Sequence, residues 1–211
     1  LLALEAFLGG PIPAEALEPA LRGARVPGRT QLLEAPGRRP VLLDGAHNRG
    51  GVEALARYVT SKFPGREVEA LFAVMRDKDA VAVYRETRRF ARTVRFVPLE
   101  DRYPRALTLA ELRALLAGGG GEGGAPAGVE RTEGSIDADE SARTADLAAL
   151  REFPRDAEEV ERALDTLLRE DGEGPDLVVV CGSLYLLGSL IPKLIPMYPG
   201  LAWFRQFDGE A

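Results

Sequence analysis

Short runs of valine and leucine that alternate with segments of helical spacing constrain the fold of this chain more than any other feature. The runs VLL at 41–43 and LVVV at 177–180 are continuously apolar, which is typical of strands buried on both faces of a sheet. The segment 51–63 has the spacing of an amphipathic helix, with apolar residues at Val52, Leu55, Ala56, Val59 and Phe63. This alternation predicts a Rossmann-like α/β domain with a mostly parallel sheet and helices on both faces.

The same patterns along the chain predict the remaining elements. Strands are predicted at 30–35, 40–45, 68–74, 93–99 and 176–182. Helices are predicted near Ala14 and over 51–63, 79–91, 108–117, 156–170 and 183–194. The segment 117–150 breaks the alternation, because it is first glycine-rich and then acidic. It is predicted to be a surface loop or a partly ordered, flexible insertion, with a short strand at 128–132 as its one candidate element.

Composition disfavours several classes of protein. Lysine and arginine total 27 against 33 aspartate and glutamate residues, so the net charge of -6 does not suggest nucleic acid as a partner. The single cysteine, Cys181, cannot form an internal disulfide and lies in an apolar run, which predicts a buried thiol and fits a reducing cytoplasm. No apolar run reaches the length of a membrane span, and no targeting signal is visible. We therefore expect a cytoplasmic protein that does not interact with membranes.

Polar residues follow three of the predicted strands directly. In a parallel sheet these strand ends meet at one edge, where ligands of open α/β sheets bind. The segments concerned are DGAHN (44–48), MRDKD (75–79) and GSLY (182–185). They are expected to bring together Asp44, His47, Asn48, Asp77, Lys78, Asp79, Ser183 and Tyr185.

Several of these residues have structural as well as functional interpretations. Asp44 can be a ligand of a bound molecule or a turn residue that binds backbone amides. Ser183 is expected to cap a helix, a role compatible with an anion site at the same helix N-terminus. His47, the only histidine, can be a surface turn residue, and Lys78 can belong to a solvated charge cluster at the start of a helix.

The sequence does not match the common phosphate-binding, dinucleotide-binding, zinc or hydrolase motifs, because particular residues differ. GAHNRGGV (45–52) has the outer spacing of a P-loop, but Gly51 and Val52 replace its lysine and hydroxyl residue. No convincing G-x-G-x-x-G follows a strand, and one histidine with one cysteine cannot form the common zinc sites. A hydrolase triad of Asp44, His47 and Ser183 is disfavoured, because the first two share one tight turn and CGSLY is not the G-x-S-x-G elbow.

The motifs in their order resemble one family. PGR (27–29), VLLDGAHN (41–48), AVMRDKD (73–79), PRA (104–106) and CGSLYLLG (181–188) are similar to the C-terminal half of folylpolyglutamate synthases and bifunctional dihydrofolate synthases, members of the Mur ligase superfamily. Arg49 stands where that family usually has a proline. The resemblance implies an ATP-dependent ligase that joins L-glutamate to a folate or dihydropteroate carboxylate through an acyl phosphate.

The resemblance also implies roles for individual residues. Arg29, Asp44, His47 and Asn48 would bind ATP, with His47 also the catalytic residue, and Ser183 and Tyr185 would hold glutamate. Three further residues would contact the ligand-binding residues without touching the ligands themselves: Asp77, Lys78 and Arg105. ATP and Mg²⁺ would be the cofactors, and the metal would have no ligand in this chain, because its ligands and the P-loop belong to an N-terminal domain of the same polypeptide.

The expected domain organisation follows from the same resemblance. Residues 1–26 would end the N-terminal ATPase domain, 27–39 would form a connector and the first strand, and 40–211 would form the glutamate-ligase domain. The opening LLALEAFLGG is already in helical rhythm and lacks methionine, which favours a chain entered partway. We expect this chain to be inactive alone and the intact enzyme to be monomeric. The alternative is a stand-alone module that binds a nucleotide or acidic metabolite without catalysis.

Overall fold

The structure, a computed structural model, describes residues 5–7, 9–23, 26–118, 133–171 and 173–201. The strands are β1 (Gln31–Ala35), β2 (Arg38–Leu43), β3 (Val68–Phe72), β4 (Thr93–Phe96), β5 (Leu150–Glu152) and β6 (Leu177–Cys181). The helices are α1 (Ala14–Gly23), α2 (Arg49–Lys62), α3 (Ala80–Arg88), α4 (Leu109–Leu116), α5 (Glu133–Ala149), α6 (Ala157–Leu168) and α7 (Leu184–Leu194). Each predicted strand and helix outside 117–150 is present, with ends that differ by a few residues.

The strands form one sheet in the order β1-β2-β6-β3-β4-β5 within the described residues. β1 and β2 are an antiparallel hairpin whose turn contains Gly37 at φ +68°. The other neighbouring pairs are parallel, with Leu42 opposite Val179 and Ala70 opposite the same residue from the other side. The predicted mostly parallel sheet is confirmed, and the central position of β6 places its carboxyl end between those of β2 and β3.

Helices cover both faces of the sheet, as predicted. α2, α3 and α4 pack on one face in a cluster that includes Val52, Phe72 and Leu112. α6 and α7 pack on the other face in a second cluster. Cys181 lies fully buried in the first cluster, and burial raises the pKa of its thiol to about 12, so the thiol is inert at neutral pH.

Residues 133–152 contain regular structure that was not predicted, although the insertion at 117–150 was expected to be partly ordered. This segment forms α5 and β5, and β5 extends the sheet by pairing with β4. Polar anchors hold the end of α5, since the Tyr84 hydroxyl donates to the carbonyl of Asp146 at 2.7 Å and Arg85 lies 3.3 Å from the Asp146 carboxylate. A mainly polar sequence is thus ordered by contacts with α3 that periodicity does not reveal. The strand predicted at 128–132 lies outside the described residues.

Residues 14–23 form the predicted helix near Ala14, and residues 5–7 are also helical. In the described segments, no helix is both long enough and apolar enough to cross a membrane.

Candidate functional site

Two of the predicted segments are bonded directly to each other at the carboxyl edge of the sheet. The amide of Asp44 donates to the carbonyl of Val180 at 3.0 Å, and the amide of Gly182 donates to the carbonyl of Ala46 at 2.8 Å. Gly182 has φ +97°, and a Cβ there would overlap the carbonyl oxygen of Ala73. The turns after β2, β6 and β3 therefore meet in one place, and Gly182 permits their close approach.

Asp44 organises the first of these turns. Its side chain is 7% exposed, and Oδ2 accepts from the Thr30 amide at 2.8 Å while Oδ1 accepts from the Ala46 amide at 2.7 Å. The carboxylate thus joins the connector before β1 to the turn after β2. Asp44 therefore has the turn role, in which it binds backbone amides, that the sequence offered as one of two alternatives. Its role in nucleotide binding stays a prediction. The two roles are compatible, because a carboxylate has about four acceptor positions.

His47 and Asn48 lead from this turn into α2. The half-buried His47 ring places Nδ1 2.8 Å from the carbonyl of Gly45. A proton on Nδ1 satisfies that carbonyl and makes Nε2 an acceptor. Asn48 is exposed and caps the helix, because its Oδ1 accepts from the Gly51 amide at 2.8 Å. The positive end of the α2 dipole is therefore at the site edge.

Arg29 approaches the same turn from the connector. Its side chain is exposed, and Nη1 lies 3.1 Å from where a Cβ of Gly45 would stand. The Leu184 side chain comes so close to Gly45 that the same added Cβ would overlap it. Gly45 therefore lets an exposed guanidinium and the first turn of α7 both approach the turn that carries Asp44 and His47.

Ser183 and Tyr185 begin α7. Ser183 is 2% exposed and caps the helix, since its Oγ accepts from the Tyr185 amide at 3.1 Å. The predicted capping role is confirmed. The Tyr185 side chain is 46% exposed, so its ring is accessible at the edge of the site. Whether these residues hold glutamate stays a prediction.

The segment after β3 carries a compact charge cluster. Asp77 accepts from Lys78 Nζ at 2.9 Å and pairs with Arg105 Nη2 at 3.2 Å. These two cations, Lys78 first, hold the pKa of the Asp77 carboxyl below its usual value. Asp79 caps α3 by accepting from the Ala82 amide at 3.0 Å. Lys78 thus belongs to a charge cluster at the start of a helix, as one of the two interpretations of the sequence predicted.

Comparison of the sequence with models of protein families matches the part of the chain that contains this site to one family. The model of the Mur ligase glutamate ligase domain matches residues 28–184, which include Arg29, the DGAHN turn and Ser183. The chain belongs to the Mur ligase family. The match spans every strand of the sheet.

Individual relatives of this Mur ligase domain agree. The chain is 33% identical to the Bacillus subtilis dihydrofolate synthase/folylpolyglutamate synthase over 101 aligned residues. The alignment covers 48% of this chain and 23% of that protein. The Mycobacterium tuberculosis folylpolyglutamate synthase complexed with ADP and AMPPCP matches with a TM-score of 0.60 at 20% identity, over 89% of this chain and 36% of that one. FolC of E. coli, in complex with DHPP and ADP, matches with a TM-score of 0.62 at 20% identity. This match covers 93% of this chain and 38% of FolC. This chain therefore spans well under half the length of these relatives.

Two residues of the Mur ligase domain were missed at the sequence level. Tyr103 lies against Tyr185, with ring centroids 4.7 Å apart. Arg76 makes a bidentate pair with Glu111 at 3.0 and 2.9 Å and also donates to the carbonyl of Pro104. Both contacts join segments distant in sequence, and no local pattern indicates them. The one available signal was the position of Tyr103 directly before the PRA motif.

Glu111 has the most strongly lowered carboxyl pKa near this edge, at about 2. The hydrogen bond from Arg76 is the largest cause, followed by hydrogen bonds from the Thr108 amide and hydroxyl. Thr108 and Glu111 form a capping box at the start of α4. The arrangement fixes the loop before α4, so we assign Glu111 a structural role. Within the described residues, no group of three or more His, Cys, Asp or Glu side chains could hold a metal ion.

Proposed function

We propose that this Mur ligase domain is the C-terminal part of an ATP-dependent ligase that joins L-glutamate to a folate or dihydropteroate carboxylate. The observation that carries the proposal is the direct bonding of the DGAHN and GSLY turns at one sheet edge, inside the matched glutamate ligase domain. The names of the relatives supply the reaction class. Solved relatives in complex with AMPPNP and Mn, or with Mn, AMPPNP and L-glutamate, support the ligands.

The nucleotide side of the site is proposed at the DGAHN turn. The remaining acceptor positions of the Asp44 carboxylate suit ribose hydroxyls, which donate well to a charged acceptor. Arg29 presents an exposed, permanently charged guanidinium, and the start of α2 presents a helix dipole, both of which suit phosphate oxygens. His47 completes this side, since its Nδ1 lies 2.8 Å from the Gly45 carbonyl and a proton on Nδ1 makes Nε2 an acceptor.

The glutamate side is proposed at the start of α7, with Ser183 and Tyr185 as the binding residues. In the reaction implied, ATP supplies the phosphoryl group that activates the acceptor carboxylate, and Mg²⁺ supplies charge neutralisation. The neutral amine of glutamate then attacks the acyl phosphate carbon: the C–N bond forms, the nitrogen loses a proton to water, and phosphate leaves with the C–O bond electrons. Residues at the edge of this domain hold and orient the reactants, so the chain contributes mainly positioning.

We place the P-loop and the magnesium ligands in an N-terminal domain of the same polypeptide, with residues 1–26 as its end. The substitution of Gly51 and Val52 for P-loop residues supports this placement. The chain alone should therefore show no magnesium-dependent ATP turnover and form no amide. We further propose that the intact enzyme is cytoplasmic and monomeric, and light scattering of the purified enzyme would test the monomeric state.

The deciding experiment assays the full polypeptide with ATP, Mg²⁺, L-glutamate and either dihydropteroate or dihydrofolate. Mass spectrometry should detect a product longer by one glutamyl unit only when all substrates are present. The purified chain 1–211 serves as the matched control and should form none. Nucleotide binding without any glutamyl product from the full polypeptide would instead favour a binding module.

A further inference from the structure

The loop at 102–106 connects two of the strand-end segments that form the site. Met75 and Ala106 form an antiparallel bridge, and the amide of Arg76 donates to the carbonyl of Arg105 at 2.9 Å. The ion pair between Arg105 and Asp77 adds a third connection, at 3.2 Å. The loop is therefore fixed to the segment after β3 by backbone and side-chain bonds.

From this fixed loop, Tyr103 reaches the first turn of α7. Its ring is partly buried against the cluster beneath α6 and α7, and its centroid lies 4.7 Å from that of Tyr185 with the planes inclined at 46°. The Arg102 guanidinium lies over the Tyr103 ring, 5.5 Å from its centroid. An anchored ring thus supports the half-exposed ring of Tyr185.

We propose that Tyr103 is a positioning residue for Tyr185, and through it for the incoming glutamate. This inference rests on the proposed function, because it takes Tyr185 as a glutamate-binding residue. An exposed tyrosine on a helix has more than one accessible rotamer, and a ring contact favours one of them. Without that contact, a smaller fraction of molecules would hold Tyr185 in the binding position, and the apparent affinity for glutamate would fall by that fraction.

The test is steady-state kinetics of the full-length ligase carrying Tyr103→Leu or Tyr103→Phe. Tyr103→Leu should raise the KM for glutamate about three- to tenfold, the range expected for losing an aromatic pair. The KM for ATP and kcat should stay within about twofold, because neither depends on the Tyr185 rotamer. Tyr103→Phe keeps the ring and should restore the wild-type KM for glutamate.

Tyr58 offers a matched control away from the site. Its ring contacts Phe63 with centroids 6.3 Å apart, and both residues pack at the margin of the other core cluster. Tyr58→Leu removes a comparable aromatic pair and should leave the KM for glutamate unchanged. An equal rise in both variants would indicate a general effect of aromatic loss and would overturn the proposal.

Tyr185→Leu separates this inference from the function on which it rests. If Tyr185→Leu leaves the KM for glutamate unchanged, the glutamate assignment itself fails. If Tyr185→Leu raises it but Tyr103→Leu does not, Tyr103 has no positioning role. If the two are coupled as proposed, the double variant should show little more than the effect of Tyr185→Leu. Should Tyr103→Leu fail to fold, Tyr103→Met, which also lacks a ring, replaces it under the same criteria.

Discussion

The centre of the sheet and its β4–β5 flank are held together in different ways. β6 is a completely buried apolar run, and β3 is a completely buried run that is apolar except for Glu69, whose carboxylate pairs with Arg95. α5 and β5 contribute few apolar side chains to the core, chiefly Leu147 and Leu150, and polar contacts of Tyr84 and Arg85 with Asp146 add to these. The centre carries the candidate site on rigid strand ends, whereas the flank extends the sheet away from it. The comparison teaches that a polar segment can belong to the fold when a neighbouring helix provides specific partners.

The largest expected effect tests how tightly the central turns are packed. Gly182→Ala should lower the free energy of unfolding by about 3–5 kcal/mol, because the new Cβ combines a left-handed φ with overlap of the Ala73 carbonyl. Gly65→Ala is the matched control, since Gly65 has φ +74° and no atom within 4 Å of the added Cβ. It should cost only about 1 kcal/mol in the same chemical denaturation experiment. Equal costs would mean that the central turns are not closely packed.

The next effect compares two aspartates that each accept two backbone amides. Asp44→Ala should cost about 2–4 kcal/mol, because the amides of Thr30 and Ala46 lose a largely buried charged acceptor. Asp156→Ala, at the exposed N-cap of α6, should cost about 1 kcal/mol. Urea denaturation of both variants measures the difference. A smaller cost at Asp44 than at Asp156 would contradict its organising role.

A third prediction addresses the flank. Tyr84→Phe should cost about 1–2 kcal/mol, since it leaves the Asp146 carbonyl without the hydroxyl that donates to it at 2.7 Å. Amide hydrogen exchange should then accelerate in 140–149 more than in β6. Glu140→Ala, at an exposed position of α5, should change stability by less than about 0.5 kcal/mol. Unchanged exchange in α5 after Tyr84→Phe would mean that this contact does not hold the helix.

The smallest effect concerns pH. The folded-state pKa of Glu111, about 2, lies below its ordinary value, so its charge stabilises the fold above the ordinary value and loses that contribution as pH falls towards 2. Because the Glu111 side chain is 43% exposed, Glu111→Gln should cost no more than about 1 kcal/mol at pH 7. The difference from wild type should shrink between about pH 4.5 and pH 2. A constant difference across this range would exclude the Arg76–Glu111 ion pair as its cause.

Much of the fold follows from the sequence because burial leaves a periodic signal. The helix over 51–63 was predicted from Val52, Leu55, Ala56 and Val59, and all four side chains are buried on one face of α2. The convergence of Asp44 with Ser183 follows from strand direction alone. By contrast, α5 was not predicted, because the residues that hold it, such as Tyr84, lie in another helix.

The candidate site was predicted as a set of strand ends but not as a set of contacts. Sequence reasoning placed Asp77, Lys78 and Arg105 together through the family resemblance, and the structure joins them in one ion cluster. It missed Tyr103, because a ring contact across 82 positions, from 103 to 185, has no local signature. The ligand roles of Arg29, His47, Asn48, Ser183 and Tyr185 stay predictions that only binding and kinetics can test.

The central claim is that the DGAHN turn serves the nucleotide and the GSLY turn serves glutamate. Its most direct test is the set of Michaelis constants of the full-length ligase carrying Asp44→Asn or Ser183→Ala, with circular dichroism confirming that both variants fold. Asp44→Asn should raise the KM for ATP about tenfold or more, as expected for losing a charged acceptor. Ser183→Ala should raise the KM for glutamate about two- to tenfold, and each variant should leave the other constant nearly unchanged. An unchanged KM for ATP in Asp44→Asn, or equal changes in both constants, would contradict the division of the site into two sides.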